Sequence, residues 1–399
     1  MSVSLWLDRP YTPRPALEGS ARADVAILGG GLTGAAAAWF LAGRGVRVAL
    51  LERGVVGGGA SGRNAGFILA GGPSYSVSCR SHGRERARAV RQVALDNHRL
   101  LRDIVDAEKI DCGYAPSGSL LLALSENEAD QLGRSAKMMS QDGFRSELLD
   151  DTDVARRFPG GGFKAGLFLP DDGEVDPVRL VRGIADAAER RGARIFEGTA
   201  ATGLETRPDG VTVASAEGRL DATMLLLATN AWTPLVHPFF EAAIVGMRGQ
   251  MLATAPLSRR LIPCPVYADF GFEYVRQLPD GRIVAGGGRR AALDAELTYA
   301  EKPTEPVQAA IERFLYSAFP EARDVPITHR WGGIMGFSCD ELPAIGVVPS
   351  QVNVYVAAGY HGHGLGLAVA AAHAVSQMMV DGRSPFPEGL FSPARHLDA

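Results

Sequence analysis

Gly29-Gly30-Gly31-Leu32-Thr33-Gly34 fits the pattern G-x-G-x-x-G, and Glu52 follows 18 residues after its last glycine. These residue types at this spacing suit a dinucleotide. Gly29 permits a sharp strand-to-helix turn, Gly31 lets backbone approach a pyrophosphate, and Gly34 lets helix and strand pack closely. A helix starting there turns its free N–H groups and positive dipole end toward phosphates. A carboxylate at Glu52 can accept hydrogen bonds from a ribose diol. NAD and FAD satisfy this pattern alike, and an ordinary βαβ turn with a surface Glu is the plain alternative.

The elements around these residues must hold them in place. The apolar run Val25 to Leu28, opened by Asp24, predicts a strand. The Ala-rich stretch Ala35 to Leu41, ending near Gly43 and Gly45, predicts the helix. Val46 to Leu51 predicts the second strand, which Glu52 closes. Strand, helix, strand and acid fall within about 30 residues, the span that the motif requires.

A second glycine-rich stretch follows: Gly57-Gly58-Gly59-Ala60-Ser61-Gly62-Arg63-Asn64-Ala65-Gly66-Phe67. A flexible linker is one reading. Arg63-Asn64, followed by apolar Phe67-Ile68-Leu69, predicts an ordered loop instead. Its amides, the Ser61 hydroxyl and the Arg63 guanidinium could hold a diphosphate and one edge of a flavin ring.

The pairing of GGGLTG, a strand-end Glu and GASGRNAGF resembles the FAD-dependent D-amino acid oxidase superfamily. The likeness is to its branch of glycine oxidase, sarcosine oxidase and gamma-glutamylputrescine oxidoreductase. Later segments extend it. Asp171-Asp172-Gly173-Glu174-Val175-Asp176-Pro177 is similar to a family turn before a returning helix. Ala228-Thr229-Asn230-Ala231-Trp232, Met247-Arg248-Gly249-Gln250 and the run from Trp331 to Gly346 also match. So does Gly359-Tyr360-His361-Gly362-His363-Gly364-Leu365.

The resemblance implies α/β plus α+β architecture: a discontinuous Rossmann-like FAD-binding domain and a second, antiparallel-sheet substrate domain. The first would take residues 1–85, 150–230 and 325–399, and the second 86–149 and 231–324. FAD would lie against Gly29, Gly31, Leu32, Thr33, Gly34, Glu52 and Arg53. The second loop would add Ser61, Arg63, Asn64, Ala65 and Gly66. Thr199 and Ala200 would hold the adenine, Asn230 and Gly333 would pass beside the cofactor, and Gly362, His363, Gly364 and Leu365 would reach the flavin. The helix after Leu365 would aim its N-terminal dipole at the flavin N1–C2=O edge.

The family reaction oxidises a C–N bond: a neutral amine passes a hydride from carbon to flavin N5, and the imine hydrolyses. His363 is the candidate catalytic residue, as a hydrogen-bonding partner of flavin or amine; His361 is a candidate or a plain loop residue. Tyr267, Tyr274 and Tyr360 are pocket or core candidates. Gly333 stands where the sarcosine oxidase type carries a flavin-linking Cys, so FAD is expected to be non-covalent. Gly366 stands where that type has a carboxylate-gripping Lys; Arg289, Arg290 or Arg330 could replace it. The alternatives are a C–O dehydrogenase or monooxygenase, and a flavin-binding subunit of a larger complex.

Composition sets outer bounds. A chain of 399 residues, 46% hydrophobic and 22% charged, fits a globular protein of about two domains. A net charge of −4 gives no electrostatic case for nucleic acid. Four cysteines without knuckle or C-x-x-C spacing predict reduced thiols in a cytoplasmic protein and no metal site. No signal peptide or membrane span is expected, and Met1 to Pro15 reads as an extended arm. Further helices are expected over 80–109, 125–142, 178–191 and 303–319. Residues 112–124 read as a turn followed by a strand, and the strands of the second sheet fall between 247 and 288.

Overall fold

The computed structural model describes residues 3–72, 74–158 and 160–397. Positions 1 and 2 of the expected arm, and 398–399 of the expected first domain, lie outside the described residues, as do 73 and 159.

Gly19–Leu28 is the central strand of the first sheet. Val25, Ala26 and Ile27 are fully buried, because this strand is covered on both faces. It pairs in parallel with Val48–Leu51 on one side and Gly218–Leu227 on the other. Arg194–Phe196 extends one edge and Gln351–Ala358 the other, both in parallel, and Ala344–Val348 closes the sheet antiparallel. The strand and helix expected after Asp24 are present, with the strand beginning five residues earlier, at Gly19, and the helix running from Leu32 to Ala42. That helix packs on Pro177–Arg190 and Ala368–Asp381. Pro177 is at the start of its helix, where Asp176 accepts from Val178 and Arg179 N–H.

The second sheet has eight strands among the described residues. In order they are Ile327–Ser338, Ile244–Thr254, Ile283–Gly287, Glu273–Gln277, Val266–Ala268, Ser119–Ala123, Ala165–Leu169 and Glu147–Asp150. All neighbours are antiparallel except Val266–Ala268 with Ser119–Ala123. The turn at Pro279-Asp280-Gly281 closes with a Leu278 N–H to Arg282 carbonyl bond, and Gly281 supplies φ +92°. Helix Glu305–Ala318 covers one face. The two sheets, the first largely parallel and the second antiparallel, give the α/β plus α+β architecture. Strands 165–169 and 327–338 belong to the second sheet, although the sequence division sets them with the first domain.

One local expectation is corrected. The single helix over 80–109 is two helices, Tyr75–His82 and Arg84–Glu108, broken at Gly83. Gly83 has φ +80°, which ends the first helix and turns the chain, so Arg80 and Arg84 share no helix face. The helix expected over 125–142 is present as Glu126–Gln141; the Ser125 hydroxyl accepts from Glu128 N–H at its start, and the Glu128 carboxylate accepts from Leu124 N–H.

Candidate active site

The first glycine turn is built by close approach. A Cβ on Gly34 would sit 1.9 Å from the Gly29 carbonyl oxygen, and one on Gly29 would sit 2.6 Å from the Ala228 oxygen. Only glycine lets strand, helix and neighbouring strand meet here. Glu52 closes the turn from below. Its Oε2 accepts from Gly30 N–H at 2.7 Å and its Oε1 from Gly54 N–H at 2.8 Å. Burial pushes its carboxyl upward in pKa, opposed by those two amides. Thr199 N–H and Gly198 N–H bond the Glu52 and Gly54 carbonyls at 2.8 Å. The expected adenine segment therefore lies beside the expected ribose acid. Thr199 is buried and Ala200 is exposed. Arg53 stacks over the Trp232 ring, 3.5 Å from its centre.

The second loop folds onto the first. Ser61 Oγ accepts from Leu32 N–H at 3.0 Å, joining it to the helix start. Asn64 donates to the Ala60 and Ser61 carbonyls and accepts from Gly66 N–H, so its side chain shapes the loop. Arg63 donates to the Gly58 and Gly332 carbonyls and pairs with Glu301 at 3.1 Å. Ala65 is buried against Trp6, Phe67 and Trp331. Sequence reasoning missed the supports below. Trp6 Nε1 donates to Asn64 O, Trp331 Nε1 to Arg63 O, and Arg276 Nη1 to both Gly66 O and Val175 O. Trp331, at the head of the run to Gly346, was the available signal; nothing marked Trp6 or Arg276 as a support.

The C-terminal loop supplies the third wall. Asn230, at φ +45°, accepts from Gly359 N–H at 3.0 Å and fixes the loop's start. Thr33 Oγ1 and the buried Tyr360 hydroxyl lie 2.8 Å apart, tying the loop to the first helix. Tyr360 is thus a link between the two chain ends. Asn97 Oδ1 accepts from Val369 and Ala370 N–H, and its amide donates to Leu365 O. The dipole of helix Ala368–Asp381 remains, but Asn97 takes two of its first-turn donors.

His363 Nδ1 lies 2.9 Å from the His361 carbonyl oxygen. A carbonyl only accepts, so Nδ1 carries the proton, and Nε2 of the neutral ring presents a lone pair. Burial lowers the His363 pKa to about 4, helped by His361. His361, at φ +50°, packs its ring on Phe337 with centres 4.3 Å apart, and its Nδ1 is buried without a partner. Burial lowers its pKa to about 4 as well.

The floor is one face of the second sheet. Alternation along Ile327–Ser338 sends Trp331, Gly333, Met335 and Phe337 to the side of the glycine loops. A Cβ on Gly333 would meet Arg63 Cβ at 2.8 Å, and one on Gly362 would meet Met335 Sδ at 3.8 Å and Phe337 Cζ at 3.9 Å. Tyr267 and Tyr274 continue this face, edge-on to Phe67 with centres 5.3 and 6.2 Å away. A Cβ on Gly59 would meet nothing within 4 Å, and one on Gly72 only His363 Nε2, at 4.0 Å. These bare backbone edges form a cradle whose donors suit a long diphosphate cofactor.

A side chain at Gly366 is sterically excluded, since its Cβ would lie 2.1 Å from the Leu69 oxygen. Of the three arginines named as substitutes, Arg290 bonds Asp269, and Arg330 bonds Gln308 and Glu312. Arg289 stands over Phe272 and Phe337. The Cys339, Asp340 and His396 grouping has its Asp340 carboxylate held by Arg395.

A layered sheet with glycine-lined cofactor loops, facing an antiparallel sheet, defines a flavin-dependent oxidoreductase. The chain belongs to the family described as DAO, FAD dependent oxidoreductase, which matches residues 24–378. It is 28% identical to the gamma-glutamylputrescine oxidoreductase of Escherichia coli K12 over 382 residues, covering 92% of this chain and 86% of that protein. It is 27% identical to a glycine oxidase of Bacillus licheniformis over 372 residues, covering 90% and 93%. Its fold is shared with glycine oxidase from Geobacillus kaustophilus, at TM-score 0.83 and 24% identity over 94% of this chain and 99% of that one. The L-proline dehydrogenase from P. horikoshii follows at TM-score 0.81 and 22% identity, covering 96% and 98%. The protein is therefore an FAD-dependent oxidoreductase related to enzymes of amines and amino acids.

Proposed function

We propose that this enzyme oxidises the C–N bond of a small amine or amino acid, giving an imine that hydrolyses. The observation that carries this reading is His363 at the cradle's edge: a neutral ring with its Nε2 lone pair free, above an apolar floor of Met335, Phe337, Tyr267 and Tyr274. Such a setting favours a neutral amine over an ammonium ion, because burial disfavours charge. FAD, when bound, supplies the two-electron acceptor for the hydrogen leaving the carbon next to nitrogen. His363 would accept a hydrogen bond from the amine N–H and orient it. Gly31, Gly34, Glu52, Ser61 and Gly66 would hold the dinucleotide, with Thr199 and Ala200 beside the adenine. Anaerobic mixing with amino acids, N-methyl amino acids and polyamine derivatives tests the reading, and bleaching of the flavin by at least one of them is expected.

His363→Ala should lower the rate of flavin reduction by about tenfold, the loss of one orienting hydrogen bond worth about 1 kcal/mol. The sign of its pH behaviour follows from the lowered pKa of about 4: the ring stays neutral above pH 5 and adds no limb there. A wild-type limb near pH 6.5 that disappears in His363→Ala would contradict this placement.

FAD is held without a covalent bond in this reading. Cys79, Cys112 and Cys264 are buried, and exposed Cys339 lies near His396 Nδ1, at 3.6 Å. Acid precipitation should leave the flavin in the supernatant; yellow colour retained on the polypeptide would overturn it. No helix among the described residues is long and apolar enough to cross a membrane; a cytoplasmic setting is the reading of the four cysteines as reduced thiols, and a net charge of −4 gives no electrostatic case for nucleic acid.

A further inference from the structure

Arg91, His98 and Asp172 form a buried polar cluster behind the cradle, outside the chemistry proposed above. Each is more than nine-tenths buried. The Asp172 carboxylate accepts from Ala70 N–H at 2.8 Å and from the Ser119 hydroxyl at 2.5 Å. Arg91 Nη1 donates to Ala70 O at 2.7 Å, while its Nε and Nη2 are buried without an acceptor. Burial pushes the Asp172 carboxyl up in pKa, opposed by His98, Ser119, Ala70 and Arg91. Groups of this kind are costly so deep in a protein, and a buried donor left unpaired calls for a reason. Here the acid and the base both act on the backbone of one residue, Ala70.

Ala70 matters because of its neighbours. Leu69 O lies so close to Gly366 that a Cβ there would sit 2.1 Å from it. Gly71 takes φ +120°, which glycine adopts easily, and its Cβ position is 3.5 Å from Arg91 Nη1. The Cβ position of Gly72 is 4.0 Å from His363 Nε2. Residues 69–72 therefore meet the C-terminal loop twice, at His363 and at Gly366. Gripping Ala70 by both its N–H and its C=O fixes that wall.

One helix organises both sides of this contact. Arg91, Asn97 and His98 are all buried residues of Arg84–Glu108. Arg91 and His98, seven residues apart, share a stripe of that helix. His98 Nδ1 donates to Asp171 O at 2.8 Å and steadies the turn that carries Asp172. Asn97 donates to Leu365 O and accepts from Val369 and Ala370 N–H, so it holds the chain just after His363. A single rigid element thus sets the segment beside the His363 ring and the loop that bears it.

We propose that Arg91 and Asp172 are positioning residues for His363, acting through the backbone of Ala70. They hold residues 69–72 against the ring, so that its Nε2 keeps one direction and stays out of water. The kinetic consequence rests on the C–N oxidation reading; the geometric claim does not. The charged and titratable groups around His363 are His361, Arg289 and Glu341, and the substitutions that test the proposal leave all three in place.

The first test follows the His363 ring in the FAD-loaded enzyme by NMR, with its Cε1–H signal assigned by its loss in His363→Ala. In the wild type that signal should not titrate between about pH 5 and 8. Arg91→Met should loosen the wall and admit water, and the ring should then titrate near its ordinary value of about 6.5. Gly71→Ala displaces the same segment without removing a buried charge, and should give the same titration. Arg91→Lys can still reach Ala70 O and should leave the signal silent. The second test is a double-mutant cycle on flavin reduction by the fastest amine. Arg91→Met should slow it about tenfold, as His363→Ala does, and by less than about twofold further in the His363→Ala background. A merely structural role would slow both backgrounds alike. A silent His363 signal in folded, flavin-loaded Arg91→Met or Gly71→Ala, or rate losses that multiply, would overturn the proposal. Should Arg91→Met fail to load flavin, Gly71→Ala carries both tests. If no amine reduces the flavin while His363 titrates in the variants, the positioning role stands and the C–N reading fails.

Discussion

Gly34→Ala should yield protein without flavin. The added Cβ would lie 1.9 Å from the Gly29 oxygen and 3.4 Å from Ile27 Cγ2. The obstacle is backbone, which cannot rotate away as a side chain can. Relief would require the helix Leu32–Ala42 to move off the strand Gly19–Leu28, at a cost of about 3 kcal/mol or more. That movement would part Leu32 N–H from Ser61 Oγ and separate the two loops that form the cradle. Flavin content per polypeptide, with thermal unfolding of the apoprotein, measures both effects. Gly133→Ala is the control: it lies in a helix with nothing within 4 Å of its Cβ, and should gain about 0.5–1 kcal/mol. Full flavin content in Gly34→Ala would refute this account of the turn.

Glu296→Ala should be nearly as damaging, and far from the cofactor loops. Glu296 is fully buried and bonds Arg248 through both oxygens, at 2.6 and 2.8 Å. Gln250 donates to the same carboxylate, and Arg248 also donates to the Ala300 and Lys302 carbonyls. The Arg-Gly-Gln stretch is thus a clamp that holds the segment after Arg289 on the sheet. Removing the carboxylate leaves a buried guanidinium charge unpaired, at a cost of about 3–5 kcal/mol. Glu296→Gln keeps hydrogen bonds but not the charge, and should fall between wild type and Glu296→Ala. Denaturant unfolding gives the ranking; a Glu296→Ala protein within about 1 kcal/mol of wild type would show that the pair contributes little.

The glycine turns expected to hold the cofactor were legible as structure because their signals are local. Gly29, Gly31, Gly34 and Glu52 are set by strand, turn and helix within one βαβ unit, and the structure brings them together with Ser61. The Pro177 helix start and the Pro279-Asp280-Gly281 turn were legible for the same reason. What escaped depends on residues far apart in sequence. The Arg248–Glu296 pair, the Asn97 cap on the last helix, and the tryptophan donors under the second loop each join segments that no periodicity links. The helix break at Gly83 was hidden differently: a single glycine among arginines leaves the polar pattern on either side unbroken. Arg289 was one of three arginines named from sequence, and only packing separated it from two with carboxylate partners.

The most direct measurement of the central claim is a single-turnover reaction without oxygen, with the amine panel supplied in excess and products counted. C–N oxidation predicts that one flavin reduced yields one carbonyl product and one released ammonia or amine. Bleaching by an alcohol with no amine released, or no bleaching by any amine in the panel, would contradict it.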